Sequence, residues 1–180
     1  HDAPRTITVA ANNDAYGTVA ITDPATEGNS VSTDKKSVTM VATAADGYTF
    51  ANWTDAAGNV VSEEATYTYS GAADASFTAN FGVTFSYFVG DGGSAAFMVE
   101  GEAIASDVIL LPGTEVTVNV TPNTGMQANI IVNGMAVDFT NNSYTFTVDR
   151  ASSVVVSFVD AVYTLTIEVI GDGEVKVTDG

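Results

Sequence analysis

Apolar and polar residues alternate along most of the chain, the period-2 mark of half-buried strands. In Thr6-Ile7-Thr8-Val9 the apolar side chains fall on odd positions, and Val19 and Ile21 repeat this after a loop. Val38, Met40, Ala42 and Ala44 take the even positions of the next segment. Tyr48-Thr49-Phe50, the stretch from Ala65 to Tyr69 and that from Ser76 to Phe81 continue in the same style. Asn12-Asn13-Asp14, Asp46-Gly47, Gly58-Asn59 and Gly71 separate these runs with residues that turns require. A sustained 3.6-residue period is missing. The nearest approach to one, from Glu100 to Leu111, carries Gly101 early and is β-branched where it is most apolar. The pattern predicts an all-β chain.

The same pattern recurs. Ser37-Val38-Thr39-Met40 matches Glu115-Val116-Thr117-Val118 at an offset of 78 residues, and Asp46-Gly47 matches Thr124-Gly125 at that offset. Further on, Thr66-Tyr67-Thr68-Tyr69 returns as Ser143-Tyr144-Thr145-Phe146 and Phe81 as Phe158, now at an offset of 77. Tyr163-Thr164-Leu165-Thr166-Ile167 aligns with Val83-Thr84-Phe85 and with Arg5-Thr6-Ile7. Such self-similarity predicts small β-domains in tandem, end to end: residues 5–82, residues 83–160, and residues 161–180 as the opening hairpin of a truncated third repeat.

Ala45-Asp46-Gly47-Tyr48-Thr49-Phe50-Ala51-Asn52-Trp53 resembles the GYTF-x-x-W core of the internalin-type B-repeats, also called the Listeria–Bacteroides repeat, and in particular their divergent branch. The second unit is similar through Leu111-Pro112-Gly113-Thr114-Glu115-Val116-Thr117-Val118, Ile131-Val132-Asn133-Gly134 and Tyr144-Thr145-Phe146-Thr147-Val148. There Met126-Gln127 replaces Tyr-Thr and no tryptophan follows. The resemblance implies a secreted or surface-anchored bacterial protein whose β-domains repeat as a stalk or adhesive array. The better-known branch is β-grasp, a fold that needs a helix. With no good helix here, a helix-poor β-grasp-like form or a small sandwich is expected.

Composition removes several functions. Lys+Arg total 5 against Asp+Glu 22, a formal net charge of −17. That field opposes nucleic acid and anionic membrane surfaces, which are bound through clustered Lys and Arg. No apolar run is long enough to span a bilayer as a helix, so no membrane insertion is expected of this segment. There is no cysteine, and the one histidine is His1 at the free end. Disulfides, thiolate chemistry, Ser–His pairs and histidine-held metals all lack a partner. The chain is expected not to be an enzyme and to carry no cofactor.

Carboxylates are the one catalytic type in supply: Glu63-Glu64, Glu100 with Glu102, and Asp91 near Asp107. A glycosidase would need two of them about 5–10 Å apart across one cleft. At this charge density neighbouring carboxylates read as solvated surface. Gly90-Asp91-Gly92-Gly93 and Gly171-Asp172-Gly173-Glu174 fall at matching places and read as tight hairpin turns. A calcium loop needs several staggered oxygen ligands, and each of these supplies little beyond one acid, which leaves weak calcium binding open. Asn52-Trp53-Thr54, Asn119-Val120-Thr121 and Asn141-Asn142-Ser143 match the glycosylation sequon, which in a bacterial protein reads as chance.

Most aromatics, including Phe77, Phe81, Phe85, Tyr87, Tyr144 and Phe146, lie on core parity. Trp53 does not, standing three residues after Phe50. Either a bulge near Ala51-Asn52 returns it to the core, or the indole lies on the surface. Tyr16, in a polar loop before Gly17, is the best candidate for an exposed ring. Tyr16 and Trp53 are therefore the candidate ligand contacts.

The expected function is a non-catalytic repeat segment of a secreted or cell-surface protein. A glycan- or host-protein-binding module using loop aromatics and acidic edges is the alternative. The partner, an extracellular protein or glycan, is unnamed by the sequence. From Phe77 to Tyr87 the apolar residues hold odd positions straight through the unit boundary, which predicts a stiff junction. Leu165, Ile167 and Val169 followed by Val175 and Val177 predict an ordered hairpin with one apolar face. Its acidic edge disfavours pairing between copies, so the protein is expected to be predominantly monomeric.

Overall fold

The computed structural model describes residues 3–162 and Gly171; the hairpin expected from Leu165 to Val177 lies outside the described residues. Among the described residues every regular element is a strand. In chain order these are β1 (Arg5–Ala11), β2 (Gly17–Asp23), β3 (Ser30–Thr33), β4 (Val38–Ala44), β5 (Thr49–Asp55), β6 (Val60–Ser62), β7 (Thr66–Tyr69) and β8 (Ala75–Val89). They continue with β9 (Gly93–Val99), β10 (Glu102–Ala103), β11 (Val108–Leu110), β12 (Thr114–Pro122), β13 (Met126–Val132), β14 (Met135–Val137), β15 (Ser143–Val148) and β16 (Ser152–Asp160). The stretch from Glu100 to Leu111 is not a helix, because Glu100 and Gly101 take φ of 52° and 87° and fold it into a β9–β10 hairpin.

Two sandwiches share one long strand. The first half of β8 lies between β1, its parallel partner, and β5, its antiparallel one. Its second half lies between β16, parallel, and β11, antiparallel. Facing these are a three-stranded sheet, β2-β4-β7, and a four-stranded one, β10-β9-β12-β15. Alternation sends one side of each strand inward, so every inward row must find apolar cover. Ile7, Val9, Trp53 and Phe81 of the long sheet meet Ile21, Val38 and Met40 of the small sheet in a first core. Val83, Phe85, Ile130 and Val156 meet Phe97, Val116 and Val118 in a second. The form is a sandwich in both halves.

The change of offset from 78 to 77 has a structural cause. The β5–β8 register slips between Phe50 and Asn52, so Ala51 is an extra residue with no counterpart in β13, which pairs with β16 without a break. Phe50 opposes Phe81 as Ala128 opposes Phe158; past the bulge, Trp53 opposes Ala79 as Ile130 opposes Val156. The bulge flips Trp53 inward, where it is 0% exposed.

Glycines make room for the last large ring of each core. A Cβ on Gly17 would stand 2.5 Å from Phe81 Cζ, and one on Gly93 2.6 Å from Phe158 Cζ. Both glycines begin the second strand of their half. Overfilling a packed core costs about 1–3 kcal/mol. Gly17→Ala is therefore expected to destabilise the first sandwich by that amount. Chemical denaturation would measure it, and an unchanged midpoint would show that the Phe81 ring yields freely.

Candidate functional site

The carboxylates singled out by sequence do not converge. Glu63, Glu64, Asp91, Glu100, Glu102 and Asp107 are all exposed on turns and edges. Among the described residues no three acidic or histidine side chains are grouped to hold a metal ion. In the Gly90–Gly93 turn, Gly92 takes φ of 104°, and its carbonyl accepts the Asn123 amide. Asp55 works inside its own turn: its carboxylate accepts the Ala57 and Asn59 amides, both at 2.9 Å, and the Asn59 side chain. Those bonds, the Asn59 side chain's first, hold its carboxyl below the ordinary value of 3.8. A depressed carboxyl stabilises the fold above its unfolded pKa, and the contribution fades as pH falls through the folded one.

Neither aromatic candidate is a free platform. Trp53 is sealed in the core, with Nε1 donating to the Ala65 carbonyl at 3.2 Å, so the surface alternative for the indole is overturned. The bulge is the reason. Tyr16 is half-buried and stacks on Tyr48, with ring centroids 4.5 Å apart and planes at 22°. Its exposed-ring reading is corrected by a partner more than thirty residues away in sequence. Tyr48 in turn packs against the second core, so this pair braces the junction of the two sandwiches. At the same junction Gly82 comes so close to β11 that a Cβ would meet the Leu110 carbonyl oxygen and stand 2.7 Å from Ile109 Cγ2. Beside it runs a groove of about 280 Å³, where Asn80 Nδ2 donates to Asn52 Oδ1 at 2.8 Å and Thr54 Oγ1 at 3.1 Å.

The surface that sequence reading missed is the outer face of β8, β16 and β13. Phe88 lies opposite Val155 and Val155 opposite Ile131, which makes one apolar row across three paired strands. Ser86 and Ser153 form the row on one side, Ser157 and Asn129 the row on the other, and Val159 and Gln127 the row beyond. These rows contain no charged residue, in a chain with 22 acids. Phe88 is 64% exposed, Val155 38% and Val159 41%. The corresponding row of the first sandwich is Ala10, Thr78 and Thr54, so the apolar band belongs to the second sandwich alone. A sequence signal existed: Phe88 breaks the odd parity of the β8 core residues, and Val155 breaks the even parity of Val154, Val156 and Phe158.

Residues 7–85 match the family model of the divergent InlB B-repeat domain. That stretch is similar to this family. The B-repeat match thus covers the first sandwich and runs along β8 into the second core. No curated protein sequence matches the chain. Among solved structures, the major pilin protein (T-13) from Streptococcus pyogenes is similar at 9% identity over 88% of this chain and 97% of that one, with a TM-score of 0.33. No helix of the described residues is long and apolar enough to cross a membrane.

Proposed function

We propose that the chain is a non-catalytic repeat segment of a secreted or cell-surface bacterial protein, built as a stalk that carries a distal binding region outward. One observation carries this reading: β8 passes unbroken from the first core into the second, so the units 5–82 and 83–160 meet within a strand rather than at a linker. A strand shared in this way resists bending, since a bend would break ladders on both of its edges. The match of residues 7–85 to the B-repeat family model supports the surface location. The lack of cysteine and of any histidine beyond His1 supports the non-catalytic role. Antibodies raised against the 180-residue chain should label intact cells of the source bacterium. Labelling that appears only after permeabilisation would place the protein inside the cell and reject the proposal.

A further inference from the structure

We infer that the neutral outer face of β8, β16 and β13 pairs two copies of this chain, sheet against sheet. Charge selects the occupant. With 22 acids against 5 basic residues, two copies repel across most of their surfaces, and the face without any charge is where they can approach. A basic partner would instead be drawn to the acidic turns and gain nothing here. Shape agrees, because the band is in register across three paired strands, with Val155 between Phe88 and Ile131. A two-fold axis near Val155 sets that band against its own copy, the self-complementary contact of a symmetric dimer. Facing sheets pack about 10 Å apart through such rows.

Size sets the strength. Three strands at about 4.8 Å spacing and some seven residues at about 3.3 Å make a face of roughly 330 Å². A standard interface buries about 800 Å² per partner, so this contact is weak, with a dissociation constant of about 0.1 mM or above. The protein is then monomeric when dilute and pairs when crowded.

Sedimentation equilibrium of the full chain from about 10 μM to about 1 mM reads this directly. The expected weight-average mass climbs from 18.5 kDa toward twice that value. Raising the salt concentration should strengthen the association, because it screens repulsion between copies and leaves an apolar contact intact. Phe88→Asp should abolish the climb. Phe88 is largely exposed, so the variant is expected to fold, and an unchanged thermal midpoint checks that it does. Val60→Asp removes another largely exposed apolar side chain, from the first sandwich, and should leave the climb as it was. A mass of 18.5 kDa at every concentration overturns the inference. So does a climb that survives Phe88→Asp. If deletion of residues 163–180 is needed before association appears, the chain's own last residues cover the face and the inference also fails.

Discussion

Trp53→Ala is expected to destabilise the first sandwich by about 3–5 kcal/mol, the usual loss when a large aromatic is truncated in a packed core. The indole is fully buried, and its ring lies 6.1 Å from that of Phe50, which in turn meets Phe81 at 5.9 Å. Truncation opens a void among these rings and leaves the Ala65 carbonyl without the indole donor. A domain of this size has a total stability of only about 4–12 kcal/mol. The variant should therefore melt in two steps, the first sandwich early and the second near its original temperature. The second core holds no atom of Trp53 and keeps β11, β13 and β16 around its half of β8. Calorimetry resolves the two steps, and nuclear magnetic resonance assigns the surviving one through Val118 and Val156. A loss below about 1 kcal/mol would contradict the packing described for the indole.

Gly82→Val should act on the junction rather than on either core. The added side chain meets a backbone carbonyl, which cannot rotate aside as a side-chain tip can. Overpacking of this kind costs about 1–3 kcal/mol, and the short β11 strand is the element able to give way. Its detachment removes one edge of β8 at the boundary, leaving the β16 ladder to hold the second sandwich. Small-angle scattering should then change from a single stiff rod to two bodies with a distribution of angles, and the Ile109 and Leu110 amides should exchange faster with solvent. Unchanged scattering together with unchanged exchange would show that the close approach has no part in stiffness. Valine already stands at the equivalent position of the second sandwich, Val159, where it is 41% exposed. The substitution thus transplants one boundary chemistry into the other.

What was legible in the sequence was what repeats at short range. Alternation located the strands, and the Phe77–Tyr87 parity anticipated a strand running through both cores. The Phe50-to-Trp53 spacing anticipated the bulge, and the drop in offset from 78 to 77 was its second signature. What escaped depends on partners distant in the chain. The parallel pairing of β1 with β8 joins residues 68 apart, Ile7 to Ala75, and leaves no local mark. Strands β3 and β11 are short and hold their places through β1 and β8, so their own sequences barely announce them. Tyr16 looked free because the ring that stacks on it, Tyr48, belongs to another strand connection. Phe88 and Val155 are separate residues in the sequence, and only the β8–β16 register makes them one surface.

The extra residue at Ala51 also bears on how two such similar halves avoid exchanging strands while they fold. Neighbouring repeats are prone to misassembly, because an equivalent strand from the wrong unit offers nearly the same pattern. Here β13 and β5 are not interchangeable. Placed against β8, an unbulged β13 would stay in step where β8's own partner slips, and a one-residue slip turns every later side chain to the opposite face. Conversely, β5 set against β16 without its bulge would point Trp53 into water. The single-residue difference between the repeats thus marks each strand for its own sandwich, so that a chain of near-copies closes onto the right partners.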